Sequence, residues 1–326
     1  MSRRYLVRRL LLLIPVLLGV MLLVFGMVFL SPGDPISRLA GNKPLPASTV
    51  ASIKASYHLD QPFVVQFLYY LKGVLHGDFG KTWDGESVNA EMARRIGVSL
   101  RLLLIATVIG GLLGVLAGAW GAIRQYQFSD HAVTMLSFVI LSIPVFVLAV
   151  VLEIAAVGIN NAVGSKVFEY TGEFTPGLQG GFWTHAVDRV QHLILPSLTL
   201  ILGEIAIFSR YQRSAMLDVL GQDFVRTAQA KGLRRRSALL RHALRTALIP
   251  AVTYFIYNFG ILIVGATFTE KIFGWHGMGE WFVDSVTRQD TNAVAAVTCF
   301  AAIMILIAGL VSDIAYAFLD PRIRVS

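Results

Sequence analysis

Residues able to do chemistry are few in this chain, and they are scattered. The seven histidines, His58, His76, His131, His185, His192, His242 and His276, all avoid the middle of the apolar runs. None belongs to an H-E-x-x-H pattern, none is spaced with a serine for nucleophilic attack, and no two carboxylates share an apolar run. Nothing here points to hydrolysis within a membrane. Cys299 is the single cysteine, which excludes an internal disulfide and a cysteine metal cluster. Gly77–Thr82 reads GDFGKT, but a phosphate loop needs a second glycine five residues before Gly80, and Leu75 stands there. Glu204 is the one ionisable group well inside an apolar run. A carboxylate in hydrocarbon costs roughly 2.5–3.5 kcal/mol, so it must face protein or water. It is either a pathway or gate residue or, the expected case, a group near enough to Arg210 to be solvated at the interface. Pro144, midway along another apolar run, predicts a kink, with gating one use for it and plain packing the other.

The chemistry that remains belongs to a basic stretch. Phe224–Pro250 reads FVRTAQAKGLRRRSALLRHALRTALIP, between two apolar runs. From Arg210 to Arg245 there are nine Lys/Arg against two acids, Asp218 and Asp223. Its apolar residues recur at helical spacing: Phe224, Val225 and Ala228, then Leu239, Leu240, Ala243, Leu244 and Ala247 after a break at Gly232. This predicts two short amphipathic helices, 224–233 and 234–247, joined at Gly232 and held on a membrane surface. The plainer reading is a positive loop that only sets topology.

The elements that position this stretch are membrane spans. With 55% hydrophobic and 15% charged residues over 326 positions, the chain is not a soluble domain. Leu10–Leu30, Leu102–Ile123, Ala132–Leu152, Ile249–Thr269 and Ala293–Ser312 run 20 to 22 residues without a charge, and Leu193–Ser209 is a shorter sixth run that holds Glu204. At ~1.5 Å per residue the five longer runs cover the ~30 Å of hydrocarbon. Six spans put both termini on one side. Arg3, Arg4, Arg8 and Arg9 before the first span, Arg322 and Arg324 after the last, and the basic loop then share that side, as cytoplasmic segments do. The +8 net charge reads as topology and anionic lipid, not nucleic acid. Leu10–Leu30 is too long for a cleaved leader and is expected to stay as an anchor. Gly110, Gly114 and Gly118 recur every fourth residue, which predicts close approach of a second helix. Val64–Leu75 has amphipathic helical spacing on the outer side.

Taken in order, the motifs resemble the first permease subunit of dipeptide/oligopeptide ABC importers. They are SPGDPI (Ser31–Ile36), LDQPFVVQFLYYL (Leu59–Leu71), GDFG (Gly77–Gly80), HLILPSLTL (His192–Leu200), SAMLDVLGQDFVRTAQAKGL (Ser214–Leu233), RHALRTALIP (Arg241–Pro250), EKIFGWHGMG (Glu270–Gly279) and DPRIR (Asp320–Arg324). The inner loop is similar to the EAA loop of such permeases. Gly232 takes its glycine place and Ala228 its second alanine, while Arg226, Thr227 and Arg245 stand where the general pattern has Glu, Ala and Pro. His58 and His276 stand where these permeases usually have Gly and Pro.

The resemblance implies an all-α polytopic membrane protein: a tail and first span over 1–30, an extracytoplasmic segment over 31–92, a transmembrane core over 93–317 with an inner loop at 210–248, and a tail over 318–326. It also implies partners: a homologous second permease, two cytoplasmic ATPases that carry the ATP and magnesium, and an extracytoplasmic peptide-binding protein, all at the cytoplasmic membrane of a bacterium or archaeon. This chain would hold no cofactor. The residues expected to couple it to an ATPase are Phe224, Val225, Arg226, Thr227, Ala228, Ala230, Lys231, Gly232 and Leu233. Phe224, Val225 and Ala228 would be the apolar anchor and Gly232 the end of the helix. Related permeases also carry nickel chelates, glutathione-like compounds and antibiotics. An ion-coupled carrier would need several mid-membrane carboxylates and an internal repeat; only Glu204 and the border residues Glu153 and Asp313 approach that.

The topology carries a direct test. In a Cys299→Ser background, Arg235→Cys should be labelled by an impermeant thiol reagent only from the cytoplasmic face. Labelling only from outside would invert the arrangement.

Overall fold

In the computed structural model, residues 3–31, 46–239 and 243–319 are described. Most of SPGDPI, all of DPRIR and residues 240–242 lie outside them. The chain is all-α: among the described residues the one extended pairing is a single bridge between Lys81 and Ser87. The helices are α1 (Arg3–Leu30), α2 (Ala47–Ser56), α3 (Phe63–Leu75), α4 (Val88–Ile123), α5 (Phe128–Ser142), α6 (Val145–Val163) and α7 (Phe182–Leu220), followed by α8 (Asp223–Ala230), α9 (Arg235–Ala238), α10 (Leu244–Gly265), α11 (Thr267–Ile272), α12 (Met278–Arg288) and α13 (Thr291–Leu319). By length and composition α1, α4, α6, α7 and α13 can each cross a membrane. The 22-residue α10 takes the place of the expected span over 249–269 and ends before it, at Gly265.

Several boundaries differ from the sequence reading. The run 132–152 is not one kinked span. It breaks after Ser142, where Ile143 is extended (φ −92°, ψ 122°) and Pro144 opens α6 with ψ 139°. A proline pushes the residue before it out of the helical region and has no N–H to continue the ladder, so the expected kink becomes a full break. As a result Glu153 moves from the border of a span to the ninth residue of α6. The short run 193–209 is only the middle of the 39-residue α7, in which Pro196 is the fifteenth residue. The expected helix over 234–247 is not one element either. Arg235–Ala238 forms a single turn, and Leu244 onward is already α10.

The contacts group the chain into two compact units. The first contains Ser99–His276 and Ile307–Ser326, and α7 is its spine. Gly110, Gly114 and Gly118 of α4 lie directly on α7. A Cβ at Gly110 or Gly114 would come within 2.5 Å of the Glu204 or Phe208 Cβ, and one at Gly118 would overlap the Ser209 carbonyl. Glycine spacing thus lets the backbones meet over about 12 Å of helix. On α5, Ser137 Oγ lies 3.0 Å from Ser209 Oγ, and Asp130 binds Arg213 through two bonds of 2.6 and 2.8 Å. Asp130 also accepts the Tyr126 N–H at 3.0 Å. Ala149 and Ala156 of α6 pack with Leu195 of α7 and Phe273. Ser312 of α13 donates to the Thr253 carbonyl of α10 at 2.9 Å.

The second unit contains Ser2–Val98 and Gly277–Leu306. The amphipathic face of α3 packs on α1, with Phe25 at 5.7 Å from Phe67 and 5.6 Å from Tyr70, in a cluster that also buries Met21, Ala295 and Cys299. His58 adopts φ +55°, in the left-handed region that glycine enters without strain, and its ring stacks on Tyr69 at 4.3 Å. The GDFGKT run forms a turn and not a phosphate cradle. Asp78 Oδ1 accepts the Gly80 N–H, the Lys81 carbonyl accepts from Asn292, and the next helix starts only at Val88.

The Asp130–Arg213 pair is the polar clamp of the first unit. Asp130 is nearly fully buried, while Arg213 keeps 27% of its side chain exposed. Asp130→Ala should therefore cost about 2–4 kcal/mol, somewhat below a fully buried pair, by leaving the guanidinium unpaired. Thermal unfolding of the purified protein should show a lower midpoint, partly restored when Arg213→Met is added. An unchanged midpoint for Asp130→Ala would show that the pair clamps nothing.

Candidate coupling site

An eight-residue helix cannot hold its shape in water by itself, so α8 must be fixed by its surroundings. Val225 and Ala228 supply that fixing. They are 1% and 8% exposed, in a cluster with Ala119 and Ala122 of α4, Met216 of α7, Ala238, Leu239, Ala243 and Ala247. Burying a valine contributes about 1.5–3 kcal/mol. The sequence reading therefore needs one correction. Val225 and Ala228 are not an anchor offered to another protein; they bind α8 to its own chain. Of the three expected anchor residues only Phe224 points outward, 43% exposed. Arg226, Thr227, Ala230 and Lys231 share the exposed side. Arg226 approaches Asp223 at 3.8 Å with both side chains largely in solvent, which contributes little.

The C-terminal end of α8 is sharply defined. Gly232 adopts φ +91°. Its N–H donates to the Gln229 carbonyl at 2.9 Å, and the Leu233 N–H donates to the Ala228 carbonyl at 3.2 Å. This pair of bonds is the Schellman arrangement, and Leu233 completes it by packing on the cluster that holds Ala228. No atom lies within 4 Å of where a Gly232 Cβ would be. The demand for glycine at this turn is therefore one of backbone conformation, not of space.

Above the cluster, Glu204 is 3% exposed and accepts a 2.7 Å hydrogen bond from Asn258 Nδ2 of α10. The expectation that it is solvated near Arg210 does not hold: the α7 helix runs on to Leu220 and carries Glu204 inside the unit. Gly110 gives it room on the α4 side. Pro144, by contrast, is exposed at the α5–α6 break and meets none of the coupling residues. The sequence reading missed Asn258, Asp130 and Arg213. Their residue types carried the signal, as polar side chains at or within apolar runs, but nothing in the sequence paired them.

Comparison with known proteins agrees with this architecture. Residues 110–325 match the family described as binding-protein-dependent transport system inner membrane component, and residues 2–90 match that of its N-terminal part. The chain is 53% identical over 324 residues to the oligopeptide transport system permease protein OppB of Mycobacterium tuberculosis, covering 99% of both chains. It is 36% identical to the oligopeptide transport system permease protein AppB of Bacillus subtilis, over 98% of this chain and 99% of the other. It is 33% identical to the dipeptide transport system permease protein DppB of Escherichia coli K12, over 98% of each. With both family matches arranged in order along a chain of long apolar helices, the protein belongs to the inner membrane components of binding-protein-dependent transport systems.

Proposed function

We propose that this permease subunit forms half of the translocation pathway of an ATP-driven peptide importer and receives the ATPase stroke through α8. The observation that carries the coupling role is the way α8 is built: one face packed into α4, α7 and the start of α10, the other presenting Phe224, and a glycine-capped end. The peptide cargo is supported by relatives named as oligopeptide and dipeptide permeases, similar over almost the whole chain.

In this reading a second, homologous permease completes the pathway, and an extracytoplasmic binding protein delivers the peptide. Two cytoplasmic ATPases bind ATP and magnesium. Both termini and the basic loop lie in the cytoplasm of a bacterial or archaeal cell. Closure of the ATPases pushes on Phe224 and its exposed neighbours. Because Val225, Ala228 and Leu233 belong to the core that joins α4 and α7, the push moves those helices and not the loop alone. Glu204 and Asn258 then keep α7 and α10 moving together. The break at Pro144 gives the pathway a bend between α5 and α6.

Three variants separate anchoring from coupling. Gly232→Val forces a β-branched residue into φ +91°, where a Cβ alone costs about 1–2 kcal/mol. It should leave membrane levels near wild type, release the ATPase on purification and abolish uptake. Phe224→Ala should also weaken ATPase co-purification, with thermal stability unchanged. Arg234→Gln should be mild. A Gly232→Val complex that keeps its ATPase and transports normally would end the coupling role of α8.

A further inference from the structure

The structure leaves one carboxylate of the apolar helices in an unusual position. Glu153 is the ninth of nineteen residues in α6. It lies on the stripe of Ala149, Ala156 and Asn160, at the i−4, i+3 and i+7 positions. Ala149 and Ala156 are fully packed against Leu195 and Phe273, and Asn160 holds the Val167 and Phe168 backbone with bonds of 2.8–3.0 Å. Glu153 therefore belongs to the side of α6 turned toward the protein. It is not part of the opposite, exposed side made by Val147, Val151 and Ile154, which suits lipid or another helix.

Among the described residues nothing answers its charge. Glu153 is half-buried, with no hydrogen-bond donor and no basic group against it. Four other acidic side chains of the long helices, all buried, are treated differently. Glu204 receives Asn258, Asp130 receives Arg213, Asp188 receives the Thr175 hydroxyl and N–H, and Glu91 receives Arg94 and Arg95. A half-open carboxylate within an apolar helix is too costly to face lipid; such groups face a water-filled route or a cation brought from outside.

We propose that Glu153 contacts the cargo in the translocation pathway, where its carboxylate receives a cationic side chain, ammonium or guanidinium, of a peptide in transit. The site thereby favours basic peptides over neutral ones of the same size. This rests on the peptide-permease reading above. A basic residue of the second permease is the rival partner. The geometry disfavours it, because a helix laid on the exposed apolar side of α6 would approach about a quarter-turn or more away from Glu153.

The test uses the complete transporter, with both permeases, ATPases and binding protein, in proteoliposomes. Uptake of Ala-Lys-Ala is compared with that of Ala-norleucine-Ala for wild type, Glu153→Gln and Glu153→Asp. Binding-protein preference is common to all three and cancels in the comparison between variants. Glu153→Gln should lower the lysyl-to-norleucyl uptake ratio about tenfold, the scale of one lost charge-assisted hydrogen bond. It should leave assembly and norleucyl uptake unchanged, and Glu153→Asp should retain most of the wild-type ratio. An unchanged ratio in Glu153→Gln would overturn the proposal. So would equal loss of both peptides with loss of the second permease, which would assign Glu153 to the subunit interface. A wild-type complex that moves neither peptide would overturn the peptide-permease reading itself.

Discussion

Close approach of α4 to α7 is the constraint on which the first unit depends. It exists because Gly110, Gly114 and Gly118 leave no side chain between the two backbones. In a bilayer there is little hydrophobic gain from bringing helices together, since lipid is as apolar as leucine. Contact must come from backbone proximity and from dispersion over a long, well-fitted seam. The glycine seam provides that fit. It also determines which residues of α7 face α4, and so the room available to Glu204, Phe208 and Ser209.

The same seam also positions α8. Ala119 and Ala122 continue the small-residue surface of α4 to the level where Met216, Val225 and Ala228 meet. Small residues at that level let an eight-residue helix lie close to two long ones. Most of the positional stability of α8 thus comes from tertiary burial, not from its own hydrogen bonds. A helix held this way can pass force in both directions, and a flexible loop of the same charge could not.

Several polar groups inside the apolar helices are paired across to α7, while the buried Thr107, Ser197 and Gln212 side chains find no hydrogen-bond partner among the described residues. Asp130 with Arg213, Glu204 with Asn258 and Ser137 with Ser209 each join α7 to a neighbouring helix. In a low-dielectric interior each pairing avoids the desolvation cost of an unpaired group, so each also specifies one rotation of the helix that carries it. Glu153 of α6 is a half-buried carboxylate that has no such pairing among the described residues.

Apolar run length located α1, α4, α7 and α13, because crossing hydrocarbon requires a minimum length and tolerates few charges, but it merged α5 with α6 across the break at Pro144. The every-fourth glycines and Gly232 were also legible. One helix repeat or one positive φ is a local demand that a residue type can state directly. The side of α8 that faces the chain was not legible. Phe224, Val225 and Ala228 make the same amphipathic pattern whether the stripe seats in a partner or in the chain's own core. Only the position of Ala119, Ala122 and Met216 decides between the two. The same holds for Glu204, whose partner Asn258 is 54 residues away, and for Asp130, whose partner Arg213 is 83 away. Hydropathy and spacing describe one helix at a time. Pairing depends on how each helix is rotated against the next, and that is settled only when all of them are packed together.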